Sequence, residues 1–344
     1  CDECGQALKE TMKQPPPIAH TSPRAYTPKY LADKILTTRN HIEGERKFVT
    51  IMAADVARYT GISEKLDLEN VHSIMEDCFK ILMAEIHQYE GTINQFLGDG
   101  LMAIFGAPVT HEDHALRACY AALNIQRALK TFSEQMYKQH EIDFRMRIGL
   151  NPGQVVVGGI GDDLRMDYMA LGDTTNIAFL LEQKAEPGRV LISERVYNHV
   201  QGYFKCKTMD EEKLKNRTHK VTYYALGEAK KKRSRLEIEA ERDALTGFVN
   251  RQKELAMIDD LYSEVRKSRG QVLCIVGDAG RGKSRLIYEF KNQLDQEKAR
   301  YLESQCTAYG KNTPYAPIVE ILKKNYNIAE GDTAEKIAEL LETK

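Results

Sequence analysis

The most restrictive feature of the sequence is a pair of acidic residues, each placed where an apolar run of strand length gives way to a turn. Residues 48–54 read FVTIMAA and end at Asp55. The largely apolar stretch 92–105 is interrupted by Gly98-Asp99-Gly100, which predicts a tight β-hairpin. If these strands are neighbours in one sheet, both carboxylates emerge at the same edge. Two close carboxylates repel each other unless a cation lies between them, so the sequence predicts a divalent-metal site suited to phosphoryl chemistry.

The residues around this pair alternate between helical and strand patterns. Apolar residues recur at helical spacing over 69–89, and Thr110 with Asp113 predicts a capping box at the start of a second helix. Further strands are expected at 145–150, 154–160 and 189–193, with a helix over 176–183. The pattern predicts an α+β fold in which helices cover a mostly antiparallel sheet. His111 and His114 could be drawn as a metal cluster with Glu112 and Asp113, but a helix start explains them better.

A second motif lies near the C-terminal end of the sequence. Residues 271–276 are apolar and predict a strand, and residues 277–284 read GDAGRGKS before an amphipathic helix predicted from Arg285. This is GxxxxGKS in a strand–loop–helix setting. Its glycines would let backbone amides surround phosphates, its lysine would reach the outer phosphates, and its serine would ligate magnesium. The residues expected to bind Mg-ATP are Gly277, Gly280, Gly282, Lys283 and Ser284.

Bulk composition excludes some classes of partner. With 344 residues the chain has room for two domains. A formal net charge of −1 gives no electrostatic case for nucleic acid or an anionic membrane. No apolar stretch approaches the roughly 20 residues of a membrane span. The seven cysteines are mostly scattered, which is typical of reduced thiols, and we expect a cytoplasmic protein.

The sequence divides into four segments. Residues 1–44 are a polar, proline-containing tether with one short helix expected over 29–36, and Cys1 and Cys4 resemble half of a zinc ribbon. A structural zinc site needs four ligands, so no zinc is expected in this chain. Residues 45–228 form the α+β domain, 229–244 a charged linker with a basic run at 230–235, and 245–344 a P-loop ATPase domain that we expect to be incomplete.

Residues 45–226 resemble a class III nucleotidyl cyclase catalytic domain. Five segments carry the resemblance, in the order and spacing of that family: FVTIMAADVARYTG, GTINQFLGDGLMAIFGAP, FRMRIGLNPGQVVVGGIG, DYMALGDTTNIAFLLEQ and PGRVLISERVYNHV. The resemblance implies a ferredoxin-like sandwich that converts ATP, or alternatively GTP, to a cyclic nucleotide and pyrophosphate with two magnesium or manganese ions. It also implies a homodimer or heterodimer, because the sites of this family lie between two domains.

The resemblance assigns one complete and one degenerate half of such a site. On the complete half, Asp55, the backbone of Val56 and Asp99 would hold metals, while Arg147 and the loop ending at Thr60 would meet the triphosphate. On the other half the ribose-orienting asparagine is kept as Asn176. The family's purine-selecting lysine aligns with Gln95 and the partner of that lysine aligns with Met169. The family's transition-state arginine aligns with Leu180. A phosphate-contacting lysine aligns loosely with Lys215.

These departures leave three functions open. A cationic side chain on the transferring phosphate is worth about 10³ to 10⁵ in rate, and leucine cannot supply it. The chain is therefore expected to be a cyclase with impaired base recognition and transition-state stabilisation, or a pseudo-cyclase that regulates an ATPase. The third hypothesis is a nucleotide-dependent switch controlled by the P-loop domain. Residues 247–255 resemble the opening motif of AAA-like signalling ATPases, with Asn250 where glycine is usual, but no Walker B strand follows Lys283.

Overall fold

The computed structural model describes most of the chain. The chain forms two units, residues 1–231 and 232–344. The described residues are 23–38, 44–160, 166–170, 173–209, 212–213, 220–230, 237, 240, 245–277, 281–295, 298–304, 306, 315–328 and 333–342. Several predictions lie outside them: the zinc-ribbon remnant with Cys1 and Cys4, the prolines at 15–17, Lys215, linker residues 231–236, and Gly280.

The first unit is built around one mixed sheet. Its helices are α1 (Pro23–Tyr26), α2 (Lys29–Thr38), α3 (Tyr59–Ser63), α4 (Leu68–Gln88), α5 (His114–His140), α6 (Thr174–Lys184) and α7 (Glu194–Val200). Its strands are β1 (Arg46–Val56), β2 (Thr92–Leu97), β3 (Gly100–Phe105), β4 (Met146–Ile160), β5 (Met166–Ala170), β6 (Val190–Ser193), β7 (Phe204–Thr208), β8 (Glu212–Lys213), β9 (Lys220–Val221) and β10 (Tyr223–Ala229). The α+β class predicted from the sequence is confirmed.

Strand β1 lies inside the sheet, because its apolar residues can be covered on both faces. The strand order is β2-β3-β1-β4-β6-β10-β7, with β5 paired to β4 and a separate β8-β9 ribbon. Among these ladders the β4–β6 pairing is parallel and the others are antiparallel. The predicted hairpin is confirmed: β2 and β3 pair up to Leu97 and Gly100 across a two-residue turn.

Helices cover both faces of this sheet. Thr50 on one face of β1 hydrogen-bonds His114 of α5 at 2.7 Å. On the opposite face, Ile51 and Ala53 pack in one apolar cluster with Ala178 of α6 and Leu31 of α2. Because side chains alternate across a strand, Asp55 lies on the same face as Ile51 and Ala53, under α6.

The short helix predicted within the tether is present and packs onto the first unit. Leu31 and Ile35 of α2 are buried in the apolar cluster of β1. The hydroxyl of Tyr30 donates to the carbonyl of His87 at 2.7 Å, and Lys34 pairs with the buried Glu90. The polar segment thus contributes one helix to the core of this unit.

Two local predictions were wrong. The strands expected at 145–150 and 154–160 form the single strand β4, because pairing with β1 continues through Asn151-Pro152-Gly153. Thr110 does not cap α5, which begins at His114. The Thr110 hydroxyl instead accepts from the Lys47 ammonium at 2.7 Å. The Asp113 carboxylate accepts a charge-assisted bond from Arg117 at 2.7 Å, which is stronger than a cap to a neutral amide.

The second unit contains α8 (Gln252–Arg266), α9 (Lys283–Gln293), α10 (Ala316–Tyr326) and α11 (Ala334–Glu342). Tyr262 and Phe290 pack edge to face between α8 and α9, with ring centroids 5.9 Å apart. The strand expected at 271–276 is not formed: Val272 and Val276 are 91% and 92% exposed. A strand needs a paired neighbour, and the described part of this unit supplies none beside it. Across both units, none of the described helices is long and apolar enough to cross a bilayer.

Candidate active site

The two acidic residues predicted to meet do so at one edge of the sheet. Asp55 is paired with Gly100 in the β1–β3 ladder, and the amide of Val56 donates to the carbonyl of Asp99 at 3.3 Å. Gly98, with a φ of 69°, takes the left-handed position of the turn. The hairpin therefore brings the Asp99 carboxylate against that of Asp55 and confirms the convergence expected from the sequence.

Gly100 makes this close approach possible. A Cβ atom at position 100 would lie 2.4 Å from the carbonyl oxygen of Ala54 and 3.0 Å from Asp55 Oδ1. Any side chain there would push β3 away from the end of β1. Glycine at this position therefore serves the packing of the two acidic residues, in addition to the turn.

Arg147 completes the cluster on the neighbouring strand. It is paired with Asp55 in the β1–β4 ladder, and its Nη2 donates to Asp55 Oδ2 at 2.6 Å. Both side chains are about three-quarters buried, at 26% and 25% exposure. A guanidinium at this position neutralises one of the two carboxylates.

Glu182 is a site residue that the sequence reasoning missed. Its Oε1 lies 3.3 Å from Arg147 Nη2, and the residue is 4% exposed on the sheet-facing side of α6. One signal could have found it: Glu182 falls one turn after Ala178 and beside Leu181, on the apolar face of the helix. A charged residue at such a position is rarely buried without a partner.

Burial and crowding of like charges shift the proton affinities of this cluster. Burial, together with the Asp55 carboxylate, raises the pKa of Asp99 to about 6, although Arg147 opposes the shift. Burial raises the pKa of Glu182 to about 7, with a further contribution from Asp55. Burial and the negative charge of Asp99 also raise the pKa of the Tyr59 hydroxyl. The site therefore has an excess of negative charge that one arginine does not balance.

The donor set fits a hard divalent cation. Two carboxylates and the nearby backbone carbonyl at Val56 offer only oxygen ligands, which Mg²⁺ and Mn²⁺ prefer. Mg²⁺ is usually held by one or two carboxylates, its remaining ligands being waters and substrate phosphates. The described residues contain no group of three or more His, Cys, Asp or Glu side chains placed for a metal, so the pair would depend on such outside ligands.

Thr60 lies on the loop and short helix that follow β1. Helix α3 begins at Tyr59, after Arg58 in the left-handed region with a φ of 61°. Thr60 is exposed, and its carbonyl accepts hydrogen bonds from Glu64 and Ser63. The structure thus puts this loop beside the acidic pair and open to solvent.

The four residues of the predicted nucleotide-facing half lie on three elements. Gln95 is exposed on β2, next to an irregularity in the β2–β3 ladder, and Met169 pairs with Val156 in the β4–β5 ladder. Asn176 is exposed on α6, and Leu180 is partly buried one turn later. Among the described residues, no hydrogen bond joins Gln95 or Asn176 to Asp55 or Asp99.

The P-loop residues are partly described. Gly282, with a φ of 79°, precedes α9, so Lys283 and Ser284 form its first turn. The Lys283 ammonium donates to the carbonyl of Gly277 at 2.7 Å and therefore lies across the loop. Asn250, at the position where glycine is usual, also has a positive φ of 62°, a conformation that asparagine tolerates better than most residues.

The two histidines considered as a metal cluster have separate partners. His111 Nε2 lies 3.0 Å from Glu90 Oε2, whereas His114 Nδ1 bonds Thr50. Burial lowers the pKa of His114 to about 4, so this ring is neutral at physiological pH. The interpretation of these residues as structural agrees with these contacts.

Comparison with known proteins identifies both parts of the chain. Residues 43–227 match the adenylate and guanylate cyclase catalytic domain family, and residues 247–343 match an AAA ATPase domain. Adenylate cyclase 1 of Rhizobium meliloti (strain 1021) is 33% identical over 204 residues, which are 58% of this chain and 30% of that protein. This chain therefore spans less than a third of that relative.

Solved structures agree with the fold. The adenylyl cyclase CyaB from P. aeruginosa has a TM-score of 0.50 at 28% identity, covering 54% of this chain and 97% of that one. The guanylyl cyclase Cya2 has a TM-score of 0.51 at 28% identity, covering 55% of this chain and 96% of that one. The two names differ in the nucleotide, so the fold alone does not choose between adenine and guanine.

Proposed function

The chain belongs to the adenylate and guanylate cyclase catalytic domain family, and from that premise we propose that it converts ATP to 3′,5′-cyclic AMP and pyrophosphate with two magnesium or manganese ions. The observation that carries this proposal is the convergence of Asp55 and Asp99 beside Arg147 at one sheet edge. Ladder register holds Asp55 on β1 and Arg147 on β4, and the two-residue turn between β2 and β3 holds Asp99, which together give the rigidity that a phosphoryl-transfer site needs.

The reaction joins the ribose 3′ oxygen to the α-phosphorus, breaks the bond to the β-phosphate oxygen and releases pyrophosphate, while the 3′ hydroxyl loses its proton. Bound metal ions would polarise the phosphate oxygens and favour the ionised 3′ oxygen. The two carboxylates orient those ions, and Arg147 binds the polyphosphate and offsets its charge. The backbone after β1, up to Thr60, supplies further donors for phosphate oxygens.

The nucleotide-facing half would come from a second cyclase domain, in a homodimer or a heterodimer. Asn176 and Leu180 lie on the side of α6 away from this chain's own carboxylates, which supports a role at a partner's site. In a heterodimer, an intact partner would supply the arginine that Leu180 replaces. This chain would then contribute the metal-binding half of the one competent site.

ATP is the proposed substrate, with GTP as the alternative. The Gln95 amide can hydrogen-bond a purine edge as donor or acceptor, whereas Met169 offers only packing. Base selection by this chain alone is therefore weak. The name of the relative from Rhizobium meliloti favours ATP. A cytoplasmic location stays a prediction.

The second candidate function is a pseudo-cyclase that regulates the P-loop domain. Leu180 favours it, because leucine cannot stabilise charge on the α-phosphate. In this view the P-loop, with Lys283 and Ser284, binds Mg-ATP while the cyclase domain only dimerises. The boundaries 45–228 and 245–344 are the proposed limits of the two parts.

The test is cyclic nucleotide production by the purified chain with Mn²⁺ and either ATP or GTP, measured by mass spectrometry. We expect cyclic AMP that disappears in the Asp55→Ala/Asp99→Ala variant. Asp143→Ala, which removes an exposed carboxylate paired with Arg145, serves as the matched control. Absence of product above the double variant, with an active relative assayed alongside, would refute the activity for this chain alone and leave either a half-site that needs an intact partner or a pseudo-cyclase.

A further inference from the structure

Glu182 is the one buried acidic residue of the cluster to which the proposed reaction assigns no part. Its carboxylate faces Arg147 across 3.3 Å, while the same guanidinium nitrogen bonds Asp55 at 2.6 Å. One guanidinium is therefore shared between a carboxylate proposed to hold metal and a carboxylate on a different element. The shared contact places Glu182 where it can weaken the ion pair between Arg147 and Asp55.

Packing fixes the position of Glu182. A Cβ atom at Gly149 would lie 2.1 Å from the carbonyl oxygen of Ala178 and 2.4 Å from the amide nitrogen of Glu182. Helix α6 thus rests directly on the glycine of β4, with no side chain between. Arg147 lies two residues before Gly149 on the same face of β4, so Glu182 can reach it without moving the helix.

The hydrogen bonds of this pair are incomplete. Among the described residues, Arg147 Nε and Glu182 Oε1 are buried and have no hydrogen-bond partner, although the two side chains are adjacent. The guanidinium donates from Nη2 to Asp55, while its Nε is left without a partner in the described part of the chain. A buried donor and a buried acceptor left unpaired each cost free energy, so an arrangement that joins them would be favoured once Asp55 is occupied.

We propose that Glu182 is a positioning residue that receives Arg147 when cations take over Asp55. This inference rests on the proposed metal site. In the resting chain Arg147 acts as the cation of the site and competes with metal for Asp55. A buried guanidinium that loses its carboxylate needs another, and Glu182 is the carboxylate already beside it. Glu182 thereby eases metal entry and keeps Arg147 near the position of the polyphosphate.

The experiment measures Mn²⁺ binding rather than turnover. The chain is titrated with Mn²⁺ alone, free ion is followed by electron paramagnetic resonance, and the work is done at about pH 8 so that Glu182, with a pKa of about 7, is ionised. Glu182→Gln keeps the shape and removes the charge, and we expect Mn²⁺ affinity to fall about tenfold. Glu186→Gln, an exposed position just beyond α6, is the matched control and should bind as the parent does.

A double-mutant cycle separates positioning from simple charge. Loss of a nearby negative charge would weaken Mn²⁺ binding whether or not Arg147 is present. If Glu182 acts by positioning Arg147, its effect requires Arg147. Glu182→Gln should then lower the Mn²⁺ affinity about tenfold in the parent and less than about twofold in an Arg147→Met background. Equal losses in the two backgrounds, or none in either, would overturn the inference. If Glu182→Gln does not fold, Glu182→Asp takes its place in the cycle, because it keeps the negative charge but moves the carboxylate away from Arg147.

The same titration tests the premise separately. If the parent chain and the Asp55→Ala/Asp99→Ala variant bind Mn²⁺ equally, the proposed metal site fails. If the parent binds through these carboxylates and the cycle shows no coupling, the proposed function stands and only the role of Glu182 fails.

Discussion

Asp99 is expected to destabilise the metal-free chain, because folding places its carboxylate beside that of Asp55. Burial and the Asp55 charge raise the pKa of Asp99 from 3.8 to about 6, so the folded chain holds this proton more tightly than the unfolded chain. The free energy of unfolding therefore falls as pH rises from about 4 to about 6 and stays low above that range. Asp99→Asn removes the ionisable group and should stabilise the metal-free chain at neutral and alkaline pH.

The size of the effect follows from the shift. A shift of about two pKa units at about 1.36 kcal/mol each gives about 3 kcal/mol as an upper value. Partial exposure and the neighbouring Arg147 reduce it to about 1–2 kcal/mol. For a unit of this length, that raises the unfolding temperature by about 2–8 °C.

The assay is thermal unfolding in EDTA at about pH 8 and about pH 4, compared with the same scans in Mn²⁺. Asp99→Asn should unfold at a higher temperature than the parent at the alkaline pH and at nearly the same temperature at the acidic pH. Mn²⁺ should stabilise the parent and not the variant, and Glu134→Gln on an exposed face of α5 should behave as the parent throughout. If Asp99→Asn were less stable than the parent in EDTA at about pH 8, the repulsion between the two carboxylates would be refuted.

Three further outcomes follow from the same structure. Leu180→Arg should raise cyclic nucleotide output at least about tenfold, since such a cation is worth about 10³ to 10⁵ in comparable transfers; an unchanged rate in a correctly folded variant would favour the pseudo-cyclase. Lys283→Ala should abolish ATP binding by the second unit, measured by calorimetry on the Asp55→Ala background, and retention of that binding would refute the P-loop assignment. Gly149→Ala should lower the free energy of unfolding by about 1–3 kcal/mol in chemical denaturation, because α6 must move. Gly61→Ala, with open space at its Cβ, is its control, and equal effects of the two alanines would contradict the close packing of α6 on β4.

Much of the first unit could be predicted from the sequence because its signals are local. The apolar run before Asp55 and the turn at Gly98-Asp99 predict β1 and the β2–β3 hairpin, whereas the strand order of the sheet depends on pairing between residues far apart in the sequence. The helix predicted over 69–89 is α4, Leu68–Gln88, with Asp67 capping the amide of Asn70. The one-strand nature of β4 was missed, because a Pro-Gly pair is locally a turn signal and only pairing with β1 overrides it.

The site was predictable only in part. Asp55 and Arg147 lie on paired strands and Asp99 lies in the hairpin turn beside them, so strand register and turn length determine their meeting. Glu182 lies on a helix whose distance from β4 depends on Gly149, a contact between residues far apart in sequence. Nothing local distinguishes this glycine from others in the chain. In the second unit the apolar run 271–276 has the composition of a strand, but a strand is defined by its neighbours.

Helix α6 carries residues of two half-sites on opposite sides. Its sheet-facing side holds Glu182 against Arg147, and its other side carries Asn176 and Leu180, which would face the nucleotide of a partner domain. The backbone of α6 rests on Gly149, so a movement of the helix that shifts the residues of one half-site also shifts those of the other. In the proposed dimer, nucleotide binding at one site would therefore change affinity at its twin, and cooperativity between the two sites would arise from a single helix.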